Sequence, residues 1–526
     1  MNSKTVFIEK DFCEKGLALL SLFIPRCDFK EGDKNADIVA KKVGKNVYAE
    51  EYFLKIKSGK AYIEYQSYLG LRNALATLSL MAFEEGGELL FKDIEITDSP
   101  AASHRGAMLD NARGVMPIDR LFCDMVLIAK AKFNFLHLHF ADSKGSSIEL
   151  DCLPEEYRLP GYYTKEQVKK LIEFADLLGL EIIPEFDMPA HSTKLNHLIP
   201  ELRCDIDFED KWMWTTCAGT EKTYEIYKSI IEEISEMFKD SRYFHIGGDE
   251  LYFDDLGRPC HWQVCKKCLQ KMKEEGLKDR QDLYYYFINR INSYVKDCKK
   301  QTIMWSDQID CTRSKGLDDD IVMQFWRISH PERGPSEGCS FDKQLGYGYN
   351  AINSYYPHTY VDLGQYATKE KIESWRWDET PEVSEKHKSQ ILGGEFCAWE
   401  YGNCEKYQHY DYSLPSAIIL FGDKLWRGQK DVYGKDAELA VTRAVLGSGV
   451  PEGFNVFDAI GGIIAPRMKK PDEACPPCDM ENITASKQDL EKIIEILSND
   501  SLFDSGDKMR AGFYKKCAEY ALKNKD

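Results

Sequence analysis

The sequence has no surplus of positive charge: 69 Lys and Arg stand against 87 Asp and Glu in 526 residues, for a net charge of −18. Phosphate binding needs a basic stripe, and none is visible. Nucleic acid is therefore a poor partner, and an anionic membrane surface is disfavoured. No apolar stretch approaches the ~20 residues that a transmembrane helix requires. The one apolar run near the start, Gly16 to Ile24, follows Glu9, Asp11 and Glu14 instead of a basic segment, and no small-residue cleavage site comes after it. Repeats and low-complexity tracts are missing too, and 12% aromatic residues argue against disorder. Nor is the cysteine count even. Seventeen irregularly spaced thiols fit a reducing cytoplasm better than a disulfide framework. What is left is a large-cored chain whose acidity fits a small neutral or cationic substrate.

Residues 1–99 read as a small α+β domain. Thr5–Glu9, Ile38–Val43, Phe53–Ile56 and Ala61–Tyr65 have strand composition, and Ser58-Gly59-Lys60 makes a hairpin turn. The spacing of Leu71, Leu75, Leu78 and Met81 predicts an amphipathic helix over Leu69–Phe83, stopped by Gly86-Gly87. After Asp98-Ser99-Pro100 the texture changes to short apolar strands alternating with helices. Ala107–Leu109, Phe133–Phe140, Glu181–Glu185, Tyr243–Ile246, Thr302–Trp305, Ile321–Phe325, Asn350–Asn353 and Gln390–Phe396 are the strand candidates. Such alternation predicts an α/β fold, a (β/α)8 barrel over residues 100–430. Residues 431–526 are expected to form a helical C-terminal extension, with helices at Ala437–Leu446 and Lys487–Leu497.

In a barrel the chemistry gathers at the C-terminal ends of the strands. Those ends carry His104-Arg105 with Asp110 and Arg113, then Asp142, Glu185, Asp187 and His191, then Asp249-Glu250. Further on come Trp305, Asp307, Trp326-Arg327, Tyr360, Asp362, and Glu395 through Trp399-Glu400. Acids, arginines and large aromatics on one rim suit a sugar pocket, where carboxylates hold hydroxyls and indole faces pack on a pyranose. The sharpest segment is His245-Ile246-Gly247-Gly248-Asp249-Glu250. Its glycines bring the backbone close to its neighbours just before two adjacent acids. Two carboxyls in a water-poor pocket are pushed apart in pKa, one ionised and one protonated, as glycoside hydrolysis requires.

This segment resembles the active-site signature of the family 20 glycoside hydrolases, the β-N-acetylhexosaminidases. The likeness extends through His104-Arg105-Gly106 to Asp110-Asn111-Ala112-Arg113, His137-Leu138-His139 to Asp142, and Ile183-Pro184-Glu185-Phe186-Asp187 to His191. It continues through Trp305-Ser306-Asp307, Gln324-Phe325-Trp326, Tyr360-Val361-Asp362 and Gly393-Gly394-Glu395 to Trp399. The resemblance implies an exo-acting, retaining enzyme that removes terminal β-linked GlcNAc or GalNAc from an oligosaccharide or glycoconjugate and needs no cofactor for catalysis. It implies Glu250 as general acid and base, with Asp249 orienting the substrate acetamido group that acts as nucleophile. Tyr360 would donate to the acetamido oxygen. Trp305, Trp326 and Trp399 would wall the pocket. Arg105, Asp362 and Glu400 would hold hydroxyls, and Asp142 and His191 would support the catalytic pair. Two departures stand out. Ser143-Lys144-Gly145-Ser146-Ser147 replaces the family's Asp-Gln-Gly-Trp-Arg, and Glu400 follows Trp399 directly.

Two other readings compete. A non-catalytic sugar binder on the same barrel would have no use for both Asp249 and Glu250. A metal-dependent amidohydrolase would use His137 and His139, which share one strand face, but its further ligands are not evident. Cys260, Cys265 and Cys268, with His261 beside the first, suggest a structural zinc loop whose fourth ligand cannot be assigned, and Cys475-Pro-Pro-Cys478 is a second CxxC. Oligomeric state is not legible.

Overall fold

The computed structural model describes residues 2–428 except 26, 45, 47–48, 86–87, 207–213, 252–259, 328–338, 362–366, 368 and 403–409. The expected extension over 431–526 therefore lies outside the described residues, together with Cys475 and Cys478.

The first hundred residues build a six-stranded sheet in the order Cys27–Glu31, Asn2–Ile8, Ile38–Lys42, Lys60–Tyr65, Tyr52–Lys57, Ile94–Asp98. Alternation sets its buried face: Tyr52, Leu54 and Ile56 point inward while Lys55 and Lys57 are exposed. Two helices, Cys13–Phe23 and Tyr68–Leu80, pack against this domain's strands. The first takes up the apolar run near the N-terminus, burying Leu19, Leu20 and Phe23. The second starts at Ser67, whose side chain accepts from the Gly70 amide. It stops at Leu80, short of the expected Phe83, because Ala82–Glu85 pairs antiparallel with Glu88–Phe91. Gly86-Gly87, read from sequence as the helix stop, lie outside the described residues.

Eight parallel strands then close into a barrel: β1 (His104–Asp110), β2 (Phe135–Asp142), β3 (Glu181–Met188), β4 (Tyr243–Gly247), β5 (Gln301–Trp305), β6 (Val322–Phe325), β7 (Ala351–Asn353) and β8 (Ile391–Ala398). Closure comes from β8 pairing with β1, Gly393 opposite His104 through Ala398 opposite Leu109. Each of the eight strand expectations falls on one of these. The helices α1 (Ile118–Lys130), α2 (Lys165–Leu178), α3 (Glu221–Met237), α4 (Arg280–Asp297) and α5 (Tyr410–Arg427) belong to the outer layer. A capping box of Thr164 and Gln167 starts α2, and Gly179, at φ 66°, ends it. Between β6 and β7 the only described helix is Phe341–Leu345.

Side chains at every second position fill the interior in layers. The lowest is apolar, with Phe135, Ile183, Tyr243, Ile303, Val322 and Ile352 buried together. One step up the same strands the layer turns polar: His137 on β2, Glu185 on β3 and His245 on β4 are fully buried, as is Glu395 on β8. Another step up are His139, Asp187 and Gly247, at the mouth of the barrel.

Candidate active site

The middle layer is a buried network of imidazoles and carboxylates. His137 faces Glu395 Oε1 at 2.7 Å through Nδ1 and Glu185 Oε2 at 3.1 Å through Nε2. His104 Nε2 lies 3.1 Å from Glu395 Oε2, and His245 Nδ1 lies 3.0 Å from Glu185 Oε1. Gln324 Nε2 donates to Glu395 Oε1 at 2.8 Å, and Trp305 Nε1 donates to Glu185 Oε1 at 2.7 Å. Burial raises the Glu185 carboxyl, but the imidazoles of His139, His245 and His137 outweigh it and hold it well below the usual range. Burial likewise lowers His137, but the charges of Glu395 and Glu185 win and lift it to about 9. Both ring nitrogens of His137 thus face carboxylates of the barrel floor.

Above this floor lies the rim. Asp142, at the end of β2, lies 2.9 Å from Arg113 Nη2, 3.2 Å from His139 Nε2 and 3.1 Å from His191 Nδ1. Desolvation of Asp142 is overcome by Arg113 and His191, which keep it ionised well below the ordinary carboxylate range. His191 is buried, yet Asp142, Asp187 and Asp249 raise it well above its ordinary value, so it is an imidazolium. Its Nε2 faces three further carboxylates: Glu250 at 3.5 Å, Asp249 at 3.7 Å and Asp187 at 3.8 Å.

The two adjacent acids have been driven apart in pKa. Asp249 is raised well above its ordinary value by burial, then by Asp187, with Asp307 and Glu250 adding to the effect. Glu250 is lowered: burial pushes it up, but the hydrogen bond and charge of His191, with Arg327 and Arg113, outweigh that. Among these acids the pull toward the protonated form falls on Asp249 and on Asp187, which is raised to about 7, and away from Glu250. The backbone explains how the pair is presented. Gly247 has φ 68°, and a Cβ there would overlap the Asp187 carboxylate, so only glycine fits. Glu250 itself has φ 49°, His191 φ 52° and Glu400 φ 60°. Left-handed backbone costs about 1–3 kcal/mol at a non-glycine residue, and here it recurs on the rim of one site. Around Glu250, Asp307 Oδ2 accepts from its amide at 3.3 Å and pairs with Arg327 at 2.9 Å, while Trp214 Nε1 donates to its carbonyl at 3.1 Å.

An aromatic box adjoins the acids. Trp305 and Trp399 lie 5.7 Å apart, Tyr360 and Trp399 5.9 Å, and Tyr360 stacks on Trp326 at 6.1 Å and 11°. Arg113 lies over the Trp399 ring at 4.8 Å and Arg327 over Trp326 at 4.3 Å. Two adjacent carboxyl groups shifted in opposite directions beside buried and partly buried aromatic faces can cleave an acetal linkage and hold its sugar.

The model of "Glycosyl hydrolase family 20, catalytic domain" matches residues 103–429. The chain belongs to glycosyl hydrolase family 20. It is a glycoside hydrolase. Among family 20 relatives, the β-hexosaminidase subunit beta of Mus musculus is 28% identical over 395 residues, covering 72% of this chain and 69% of that protein. The β-hexosaminidase of Porphyromonas gingivalis is 26% identical over 359 residues, 63% of this chain and 44% of that one. The barrel and its N-terminal domain superpose on the Vibrio harveyi exo-β-N-acetylglucosaminidase solved with N-acetylglucosamine. That match has TM-score 0.70 at 22% identity, covering 84% of this chain and 73% of that one.

On this family 20 scaffold the structure brings Asp142, His191, Asp249, Glu250, Trp305, Trp326, Tyr360 and Trp399 to one mouth. Glu400 is also there: its amide donates to Asp110 Oδ2 at 2.8 Å, and its charge acts on Arg113. Asp362 lies outside the described residues. Arg105 is a correction. Strand β1 begins at His104, so Arg105 is near its lower end and out of phase with the inward His104, Met108 and Asp110. Its guanidinium donates to the carbonyls of Lys132 and Ala102 and pairs with Glu50 of the N-terminal domain. The arginine at the mouth is Arg113, paired with Asp110 at 3.0 Å. Its place after the strand-end Asp110 was the available signal. Cys260 is the second correction. It precedes the short helix His261–Val264 and does not join Cys265 and Cys268, which meet Cys204 and Cys217 instead. Trp214 had no sequence signal; its role depends on where its loop folds. The departure after Asp142 is a tight hairpin, with Gly145–Ile148 running back antiparallel to β2 and Lys144 donating to the Arg113 carbonyl at 3.2 Å.

Proposed function

We propose that the protein is an exo-acting, retaining β-N-acetylhexosaminidase that removes terminal β-linked GlcNAc or GalNAc by substrate-assisted catalysis. The observation that carries this reading is the adjacent Asp249–Glu250 pair, set 3.5–3.7 Å from His191 Nε2 and beside the box of Trp305, Trp326, Tyr360 and Trp399. Relatives named as β-hexosaminidases and neighbours solved with N-acetylglucosamine support it.

The residues divide the work as follows. An acetamido N–H donating to Asp249 favours its ionised form, and the glycosidic oxygen beside Glu250 favours that group's protonated form. Substrate thus moves the shared proton to where an acid is needed. The acetamido oxygen then bonds to the anomeric carbon as the glycosidic bond breaks, and Glu250 gives its proton to the leaving oxygen. Asp249 stabilises the positive charge on the oxazolinium. Glu250, now a carboxylate, takes a proton from water as that water reopens the ring, and two inversions give net retention. Arg113, Asp362 and Glu400 bind ring hydroxyls, Arg113 through its guanidinium fork. Tyr360 donates to the acetamido oxygen. The substrate supplies the nucleophile, so no cofactor enters the cycle.

The test is hydrolysis of para-nitrophenyl N-acetyl-β-glucosaminide and N-acetyl-β-galactosaminide, with Glu250→Gln as control. At least one is cleaved, and the variant loses about 10²–10⁴ in rate. Neither substrate cleaved, or a fully active variant, overturns the reading. Cytoplasmic residence belongs to the same proposal and rests on the eleven unpaired cysteines among the described residues, against one Cys311–Cys339 bridge. Activity assays on fractionated cells decide it.

A further inference from the structure

Four cysteines meet beside the active site. Cys204 and Cys217 lie on the loop that follows β3, the first just past the turn Pro200–Leu202 and the second shortly before α3. Cys265 and Cys268 lie beyond β4, at the start of the helix Lys266–Glu274. Their four sulfurs are all within 4.8 Å of one another, with Cys217 at 3.7 Å from Cys265 and 3.6 Å from Cys268. Cys217, Cys265 and Cys268 are fully buried. A regular tetrahedron with ~2.3 Å zinc–sulfur bonds has sulfurs about 3.8 Å apart, whereas a disulfide needs ~2.05 Å. The Asp205 amide donates to Cys265 Sγ at 3.2 Å, the kind of second-layer bond that supports a bound thiolate.

We propose that Cys204, Cys217, Cys265 and Cys268 bind a structural zinc ion that ties the loop after β3 to the loop after β4. A closed set of four thiolates leaves no position for water or substrate, so the ion's role is to fix geometry. What it fixes is specific. The first loop carries His191 and Trp214, whose rings are 4.3 Å apart, and Trp214 holds the Glu250 carbonyl. The second follows Asp249-Glu250 and returns Trp262, whose Nε1 donates to the Thr216 carbonyl at 2.8 Å, next to Cys217. The four sulfurs thus tie together the two loops that position the catalytic pair.

The test uses the full chain, purified without added metal. Elemental analysis should give one zinc per chain, and Cys217→Ser and Cys265→Ser should each retain under about a tenth of it. Cys260→Ser, outside the cluster, should keep the full complement. If the serine variants fail to fold, titration of the native chain with a mercurial thiol reagent in the presence of a metal-sensitive dye gives the same answer. One zinc should be released as the four buried thiols react. With zinc removed, the intrinsic tryptophan fluorescence and the thermal midpoint should shift even before substrate is added, and the fluorescence shift should be smaller in Trp214→Phe. A chain that carries no zinc, iron in its place, or disulfides among these four cysteines would overturn the proposal.

Discussion

Two layers of one barrel use the same residue types, histidine and carboxylate, to opposite ends. In the middle layer, Glu185 and Glu395 contact imidazoles, Gln324 and Trp305 at 2.7–3.1 Å, and nothing there is exposed. At the mouth, His191 faces Asp187, Asp249 and Glu250 at 3.5–3.8 Å, and the Glu250 side chain keeps 22% of its exposure. Short contacts among fully buried groups fix a charge and leave it nothing to do but hold the fold. Longer ones, shared among several acids around one cation, leave a proton that substrate can move. The lower layer is a rigid floor that sets where the upper one sits: His139 reaches Glu185 below through one nitrogen and Asp142 above through the other.

Equivalent amide substitutions should therefore fail differently in the two layers. The largest contrast is between Glu395→Gln and Asp249→Asn. The first takes one of the two buried carboxylates away from the His137 imidazolium, leaving Glu185, and should cost about 3–5 kcal/mol of unfolding free energy by urea titration. The second relieves crowding among acids, so its unfolding midpoint should not fall, while kcat drops about 10²–10³. Its pH profile should also change. Without Asp249, Glu250 alone must hold the acid proton, and His191, Arg327 and Arg113 keep that carboxyl low. The basic limb of kcat/KM should therefore move to lower pH; an unmoved limb would contradict the opposed shifts of the two acids.

A comparable effect should appear in stability against pH. His137 is raised to about 9 in the fold, so its stabilisation is complete below its unfolded value of ~6.5 and is lost as pH rises through 9. Urea titrations across that window should show a decline of roughly 3 kcal/mol from this group, flattened in Glu395→Gln.

The smallest contrast sharpens the arginine correction. Arg113→Lys should raise KM about tenfold, because an ammonium cannot reproduce a bidentate fork. Arg105→Lys should leave KM alone and lower only the thermal midpoint, since its partners are Glu50 and two carbonyls away from the mouth.

Which features the sequence disclosed follows from the same layering. The strands were legible because short apolar runs are hard to place elsewhere, and Asp249-Glu250 because Gly247 and Gly248 mark a close approach. Arg105 was misplaced through phase: with the strand read from Ala107, it stood at a rim, and with the strand starting at His104 it turns outward. Glu185 and Glu395 were read as rim acids because a carboxylate inside an apolar strand gives no hint that histidines from other strands enclose it. The cysteine cluster was half visible, since Cys265 and Cys268 are neighbours while Cys217 comes from 48 residues before Cys265. Contacts between loops leave no local period to read.

The central claim is that the substrate's acetamido group is the nucleophile, held by Asp249 and served by Glu250. Proton NMR during cleavage of para-nitrophenyl N-acetyl-β-glucosaminide, run beside the para-nitrophenyl β-glucoside, tests it most directly. The account predicts that the β-anomer of N-acetylglucosamine forms first and that the glucoside, which lacks the acetamido group, is not cleaved. An α-anomer formed first, or a glucoside cleaved at a comparable rate, would contradict it.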